Sequence, residues 1–89
     1  SKGMLMGPRF PFVVAETQPG TPAAKAGIEK GDRIISLNGR PIEFFDQFKP
    51  LAAPNVGKSV TLGVLRNGSD TLSKTLTLTP EGTIGVALP

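Results

Sequence analysis

The feature that most constrains this chain is residues 19–39, an ungapped stretch of small and turn-forming residues. It reads Pro-Gly-Thr-Pro-Ala-Ala-Lys-Ala-Gly-Ile-Glu-Lys-Gly-Asp-Arg-Ile-Ile-Ser-Leu-Asn-Gly. Thr21 can cap a helix in which Pro22 takes the first position, because a proline there loses no hydrogen bond. Gly27 suits the left-handed residue that ends such a helix. We therefore predict a turn, a short helix and a second turn in residues 19–32.

A buried strand and a hairpin turn complete this stretch, and further strands follow it. Residues 33–37 are largely apolar on both faces, and Asn38-Gly39 and Asn67-Gly68 are strong hairpin signals. The short return at residues 40–42 contains Pro41, which favours the edge of a sheet. Apolar alternation with a period of two predicts the other strands at residues 10–17, 59–66, 72–79 and 83–88.

A second helix is predicted over residues 43–53. Phe44, Phe48 and Leu51 fall near one face of that helix, as expected for an element that packs on a core. Pro50 lacks an N–H group and clashes with the preceding turn, so we expect a kink or an early end there. The whole pattern predicts an α+β, mostly β domain, with about six strands and two helices in a partly open barrel.

The composition allows binding more readily than catalysis. The chain has 89 residues and contains no His and no Cys, so the common general base, the thiol nucleophile and most zinc sites are absent. The adjacent pairs Lys58-Ser59 and Ser73-Lys74 cannot readily form catalytic dyads, because neighbouring residues on a strand point to opposite faces. We therefore expect no catalytic residue, no metal ligand and no cofactor in this chain.

Charge and hydropathy exclude two further classes of function. The ten basic and seven acidic residues give a net charge of +3 and are scattered, whereas a nucleic-acid interface needs a basic patch with aromatic platforms. The longest apolar run, residues 12–15, is far shorter than the roughly 20 residues of a membrane helix. We expect residues 1–9 to be an N-terminal segment, native or left from cloning, and residues 10–89 to form one monomeric domain.

Residues 19–39 resemble the recurring motif of the PDZ domain, a peptide-binding module, in its bacterial version with a permuted strand order. That motif has the form Pro-Gly-Ser-Pro-Ala-x-x-Ala-Gly-φ-x-x-Gly-Asp-x-Ile-φ-x-φ-Asn/Asp-Gly, in which φ is apolar. The chain agrees at every specified position except Thr21, where serine is commoner and either residue can cap. The resemblance implies a PDZ-like fold for residues 10–89.

Later segments resemble the site-2 family of intramembrane zinc metalloproteases, of the regulator-of-sigma-E type. The matching segments are Arg40-Pro41-Ile42, Gly57-Lys58-Ser59-Val60-Thr61-Leu62, Arg66-Asn67-Gly68, Leu76-Thr77-Leu78-Thr79-Pro80 and Gly82-Thr83-Ile84-Gly85-Val86. The resemblance implies a parent membrane zinc metalloendopeptidase that performs regulated intramembrane proteolysis, with its zinc and its His-Glu-x-x-His helix outside this chain. This chain would then be an extracytoplasmic, periplasmic domain of an inner-membrane protein that recognises or gates substrates.

The PDZ resemblance also implies a peptide groove between a strand and the second helix. An extended peptide would add to the strand at residues 12–16 and lie against residues 43–53. The loop at residues 7–11 would hold the terminal carboxylate of the peptide, although its two prolines remove donors that Arg9 would have to replace. The expected peptide-binding residues are Arg9, Phe10, Phe12, Val13, Val14, Phe45, Phe48 and Leu51.

Several alternatives stay open at the level of the sequence. Each phenylalanine can serve core packing or groove lining. The parent can instead be a trypsin-like envelope serine protease or a carboxyl-terminal processing protease, although these usually carry an apolar-Gly-apolar loop before the first strand. The expected partner is an extended peptide or the C-terminal tail of a membrane-protein substrate, such as an anti-sigma factor. The residues do not decide between carboxylate binding and a size filter.

Overall fold

The computed structural model describes residues 10–89, which form two open antiparallel sheets and two short α-helices. The strands are β1 Glu16–Thr17, β2 Arg33–Leu37, β3 Arg40–Pro41, β4 Ser59–Arg66, β5 Asp70–Thr77 and β6 Val86–Ala87. The helices are α1 Pro22–Ala26 and α2 Phe48–Ala52, and 3₁₀ turns at Phe45–Gln47 and Ala53–Asn55 flank α2. No helix among residues 10–89 combines the length and hydrophobicity needed to cross a membrane.

The sheets stay open and do not close into a barrel, where the prediction was of a partly open one. One sheet has the order β3-β2-β4-β5, and the other contains only β1 and β6. Residues 12–14 join the two, because the Val14 N–H donates to the Asp32 carbonyl at 2.8 Å and the Ile34 N–H donates to the Phe12 carbonyl at 2.9 Å. The prediction of a mostly β fold with six strands and two helices is confirmed for the described residues.

Local capping chemistry fixes α1 as predicted. The Thr21 hydroxyl accepts the Ala24 N–H at 3.4 Å, and Pro22 occupies the first position of the helix. Gly27 ends the helix in the left-handed conformation with φ of 82°. The two Asn-Gly hairpins also form, with Asn38 and Asn67 at positive φ.

The second helix is shorter than predicted. The Gln47 side-chain oxygen accepts the N–H groups of Glu43 and Phe44 at 2.7 and 2.8 Å, which fixes a tight loop before α2 begins at Phe48. Pro50 is the third residue of α2, where an N–H group would have no intrahelical partner. The helix continues past Pro50 to Ala52, so the expected early end at Pro50 was wrong.

Three of the predicted strands differ from the observed ones by two residues or more. The predicted strand 10–17 contributes only β1 and a single bridge between Val13 and Arg33. The predicted strand 72–79 begins and ends two residues earlier, as β5. The predicted strand 83–88 shortens to β6, because Thr79 and Thr83 hydrogen-bond to each other through backbone and side-chain atoms and close a turn ahead of it. The predicted strand 59–66 agrees with β4.

The core is built around Phe12, which is 1% exposed. Its ring meets Phe45 at 4.9 Å and Phe48 at 5.1 Å between centroids, both in edge-to-face geometry. Each such contact adds about 0.5–1.5 kcal/mol to the free energy gained by burying the rings. The buried apolar residues are Phe12, Val14, Ala23, Ile28, Ile34, Leu37, Ile42, Phe48, Ala52, Val60, Leu62, Val64, Leu76, Leu78 and Ile84.

A buried carboxylate joins three parts of the fold. Asp32 is 1% exposed, and its carboxylate accepts the Arg66 Nε and Nη2 hydrogens at 2.9 and 2.8 Å. It also accepts the Glu29 N–H at 2.9 Å, while Arg66 donates to the Gly27 carbonyl at 3.0 Å. The hydrogen bonds from Arg66 hold the pKa of Asp32 below its ordinary value of 3.8. The end of α1, the start of β2 and the end of β4 are therefore fixed together.

We predict that Asp32→Asn lowers the free energy of unfolding by about 1.5–3 kcal/mol at pH 7, because it removes charge-assisted hydrogen bonds. Because the folded pKa is depressed, the contribution of Asp32 is complete above pH 3.8 and is lost as pH falls through the lower folded value. Thermal melts between pH 7 and 2 should therefore show a smaller acid-induced decrease in Tm for Asp32→Asn than for the wild type. The exposed Asp70→Asn control should follow the wild type, and equal pH profiles for all three proteins would contradict the assignment.

Candidate functional site

One feature of the described surface is the open backbone edge of β6, which lies at the edge of its sheet as β3 and β5 do in theirs. On its inner side, the Ala15 N–H donates to the Ala87 carbonyl at 2.8 Å and the Gln18 N–H donates to the Gly85 carbonyl at 2.9 Å. Successive residues of a strand direct their backbone groups to opposite sides, so those of Val86 and Leu88 point away from β1. Among residues 10–89, no strand pairs with that outer side. A further strand can therefore add there.

Residues 12–18, which were predicted to form the groove strand, have no comparable free edge. They bond on one side to the beginning of β2, through Phe12 and Val14, and on the other to residues 85–87. They are a central segment of the fold, which leaves little room for an added strand, and peptide addition beside residues 12–16 stays a prediction. The open edge lies one strand further out, on β6.

A cavity of about 250 Å³, which we call the groove, lies between β6 and the segment that contains α2. Its lining residues are Phe12, Phe45, Phe48, Lys49, Glu81, Gly82, Thr83, Ile84, Gly85 and Val86. The three aromatic rings give it an apolar wall. Lys49 and Glu81 place one charge of each sign in the lining, so no net charge from these two residues favours either sign of ligand.

Two consecutive backbone N–H groups are available at one end of the groove. The carbonyls of Ile84 and Gly85 accept hydrogen bonds from Ala23 and Gln18, both at 2.9 Å, which hold this segment in place. The N–H groups of Ile84 and Gly85 donate to no acceptor within residues 10–89. Gly85 has φ of 87°, and successive N–H groups around a left-handed residue form a concave site for anions. This end of the groove can therefore hold a carboxylate.

A larger apolar cavity of about 390 Å³, which we call the second cavity, adjoins the groove. Its lining residues are Phe10, Pro11, Val13, Phe45, Leu88 and Pro89. Phe45 lines both cavities, and its N–H donates to the Phe10 carbonyl at 2.7 Å. Phe45 is therefore the residue that the two cavities share.

The structure separates the predicted peptide-binding residues into four groups. Phe12, Phe45 and Phe48 line the groove, while Phe10 and Val13 line the second cavity. Val14 is buried in the core and Leu51 packs partly buried against it, and neither lines a cavity described above. Arg9 lies outside the described residues, as does most of the predicted carboxylate loop at residues 7–11.

Sequence reasoning missed Lys49 and residues 81–86 as part of the site. The available signal was Ile84-Gly85-Val86, an apolar-Gly-apolar triplet of the type expected before the first strand but placed near the other end of the chain. Phe12 and Phe48 serve both core packing and groove lining, because each is buried and also lines the groove. Within residues 10–89, no group of three or more His, Cys, Asp or Glu side chains is placed to hold a metal ion.

Comparisons with known proteins find relatives of this chain. The family model described as "PDZ domain" matches residues 13–66. The chain is 39% identical over 79 residues to the Regulator of sigma-E protease RseP of Escherichia coli (strain K12), which covers 89% of this chain and 17% of that protein. It is 46% identical over 56 residues to the Periplasmic pH-dependent serine endoprotease DegQ of the same organism, which covers 62% of this chain and 12% of that protein. The chain thus spans less than a fifth of either relative.

Among solved structures, the HtrA3 PDZ domain bound to a phage-derived ligand (FGRWV) superposes with a TM-score of 0.64 and 28% sequence identity. The match covers 82% of this chain and 66% of that one.

We predict that Gly85→Ala lowers the stability of the domain more than Gly68→Ala does, although both glycines have a left-handed backbone conformation. A Cβ atom at Gly85 would collide with the Thr21 side chain, whereas one at Gly68, also left-handed, would meet nothing within 4 Å. Gly68→Ala should cost about 1–2 kcal/mol of stability for its backbone conformation alone. Gly85→Ala should cost about 1–3 kcal/mol more because of the overpacking.

Urea unfolding measures this difference between the two variants. Amide NMR shifts of Gln18 and Ala23, which donate to this segment, should change only in Gly85→Ala. Equal losses of stability in both variants, with these shifts unchanged, would show that the contact between Gly85 and Thr21 does not constrain the loop.

Proposed function

This chain belongs to the PDZ domain family, and from that premise we propose that it binds the C-terminal segment of another polypeptide as an added strand beside β6. The observation that carries this proposal is the coincidence of three features in one place. The outer edge of β6 is unpaired, an apolar groove runs beside it, and two free N–H groups close one end of that groove. Such an arrangement supplies main-chain pairing, a side-chain pocket and a carboxylate site together.

The proposed binding mode follows from the direction of β6. A peptide antiparallel to β6 places its carboxylate at the N–H groups of Ile84 and Gly85, and its preceding backbone beside Val86 and Leu88. The last side chain then enters the groove against the rings of Phe12, Phe45 and Phe48. Carboxylate-to-amide hydrogen bonds are charge-assisted and therefore stronger than the neutral pairs along the strand. After the cost of ordering the peptide, we expect a Kd on the order of micromolar.

We further propose that the parent protein is a membrane zinc metalloprotease and that this domain recognises or gates its substrates on the extracytoplasmic side. The 39% identity to RseP over 89% of the chain supports this parent. The metal would belong to the parent, outside these residues, and the domain would contribute binding without chemistry of its own. A substrate such as an anti-sigma factor would present an extended or newly exposed C-terminal tail to the β6 edge.

A second parent is favoured by the 46% identity to DegQ over 56 residues. In that case the same groove would serve an envelope serine protease. The HtrA3 PDZ domain with its bound ligand FGRWV supports peptide binding under either parent. The flanking coding sequence separates the two, because a His-Glu-x-x-His in a hydrophobic helix identifies the metalloprotease and a Gly-x-Ser-x-Gly identifies the serine protease.

The direct test of the groove uses two substitutions at one position. Val86→Pro removes the N–H that faces the open edge and blocks that edge with its ring, whereas Val86→Ala keeps the N–H. C-terminal hexapeptides selected from a random library should bind Val86→Ala within about threefold of the wild type. They should bind Val86→Pro at least about tenfold more weakly, equivalent to about 1.4 kcal/mol. Calorimetry measures the affinities, and NMR confirms that both variants are folded.

The peptide itself provides the matched control for the carboxylate. Amidation of the C-terminus should weaken binding about tenfold or more and abolish the shift changes at the Ile84 and Gly85 amides. Binding that tolerates both Val86→Pro and amidation, with shift changes away from β6, would contradict the proposed groove. Failure of every library peptide to bind would contradict the proposed function itself.

A further inference from the structure

We propose that the outer edge of β5 is a dimerisation surface, at which β5 of a second copy of this chain pairs in antiparallel order. This surface is independent of the proposed function, because it belongs to the four-stranded sheet and requires no peptide at β6. Since β5 and β6 lie in different sheets, a peptide and a second copy would not compete for the same backbone groups.

Every second residue of β5 directs its backbone groups away from the rest of the sheet. The Leu78 N–H donates to the Lys58 carbonyl at 2.9 Å, and the register of β4 and β5 continues from this pair without a shift. The bonding direction alternates along an antiparallel strand, so the even-numbered residues of β5 bond to β4. The Thr61 carbonyl accepts from Asn38 on the other side of β4, as this alternation requires. The outward groups belong to Thr71, Ser73, Thr75 and Thr77, and no strand among residues 10–89 pairs with them.

This edge lacks the features that usually keep sheet edges from pairing. It has eight residues in uninterrupted register, without a bulge, a proline or a glycine. The opposite edge of the same sheet, β3, has only two residues and ends at Pro41. The one cation of β5, Lys74, is half-buried and reaches towards Gly27 at the end of α1, so its charge does not stand along the edge. A long, regular edge of this kind is a template for another chain.

The charges of β5 select one register for two identical strands. Odd-numbered residues must face odd-numbered residues to form hydrogen bonds, so the two-fold axis between the copies passes through a residue. An axis at Leu72 places Asp70 of each copy opposite Lys74 of the other. An axis at Lys74 would place two lysines opposite each other, and an axis at Thr71 or Ser73 would pair neither charge with an opposite one. Opposite charges facing each other across strands are stabilising and like charges are destabilising, so we assign the axis to Leu72.

A cleft beside α1 has the position that the hairpin turn of the other copy requires. In the register centred on Leu72, Thr71 and Ser73 of the two copies exchange about four backbone hydrogen bonds. The turn Asn67-Gly68 of one copy then comes opposite residues 76–77 of the other. A cleft of about 340 Å³ lies there, between α1 and the end of β5, and its lining is Pro22, Lys25, Ala26, Thr75, Leu76 and Thr77. Helix α1 therefore leaves room for a narrow, polar turn beside the edge.

Sedimentation equilibrium of the 89-residue chain tests the surface. An interface of this size belongs to the weak class of protein contacts, so we expect a dissociation constant on the order of 100 µM. Ser73→Pro removes an N–H that faces the open edge and should weaken dimerisation at least about tenfold, whereas Ser73→Ala keeps that N–H and should stay within about threefold of the wild type. Proline is tolerated at the edge of a sheet, and amide NMR spectra confirm that both variants are folded.

Charge reversal tests the register. Asp70→Lys places lysine opposite lysine, and Lys74→Glu places carboxylate opposite carboxylate, so each variant alone should dimerise at least about tenfold more weakly than the wild type. In an equal mixture the two variants face each other with opposite charges at both positions. The mixed dimer should therefore form within about threefold of the wild-type affinity, which NMR detects when only one variant is isotopically labelled. An unchanged affinity for Asp70→Lys would contradict the axis at Leu72.

The outcomes separate this dimer from peptide binding at β6. A chain that stays monomeric at every concentration, or a dimer that survives Ser73→Pro, would overturn the inference. A dimer that Val86→Pro abolishes and Ser73→Pro does not would place the interface at β6 and would overturn it as well. C-terminal peptides should bind Ser73→Pro as they bind the wild type, so the proposed function is tested independently of the dimer.

Discussion

The buried carboxylate of Asp32 is the contact on which the geometry of the site depends. Its side chain holds Arg66 and the turn at Glu29, and its own carbonyl accepts the N–H of Val14. That last bond fixes residues 12–14 against β2, and the next residue, Ala15, donates to Ala87 in β6. The position of the open edge therefore depends on Asp32, whose side chain holds Arg66 and the turn and whose backbone carbonyl holds Val14. Because the Asp32 carboxylate is buried, losing its hydrogen-bond partners would leave an unpaired charge in the interior at a large cost in stability.

In the candidate carboxylate site, the backbone carbonyls make hydrogen bonds within residues 10–89 and the backbone N–H groups do not. Around Ile84 and Gly85, the carbonyls are committed to hydrogen bonds inside the fold, while the N–H groups are left without acceptors in the described residues. A segment that uses only its acceptors is held rigidly and still presents donors, which is the requirement for an anion site with little cost of reorganisation. Thr21 contributes twice, since it caps α1 and also packs so closely on Gly85 that only glycine fits there. The cap predicted from the sequence thus also shapes the groove.

Local chemistry was predictable from the sequence, and non-local pairing was not. The cap at Thr21, the left-handed end at Gly27 and the Asn-Gly hairpins depend on residues within a few positions of one another. The length of α2 was missed because the backbone before it is held by the Gln47 side chain, for which propensity gives no signal. The sequence does not distinguish an edge segment from a central one here, because residues 12–16 and 84–88 show the same apolar alternation. Which of them is central depends on contacts between Gln18 and Gly85, far apart in the chain.

The aromatic side chains show why packing and recognition cannot be separated in so small a domain. Phe12 and Phe48 are buried, yet each also lines the groove, whereas Phe45 is held edge-on by Phe12 and remains 40% exposed. A ring fixed on one side by the core keeps its orientation before a ligand arrives, so its contribution to binding carries little entropic cost. Phe45 also lines the second cavity, so its position affects the shape of both. The core therefore determines the shape of the groove wall.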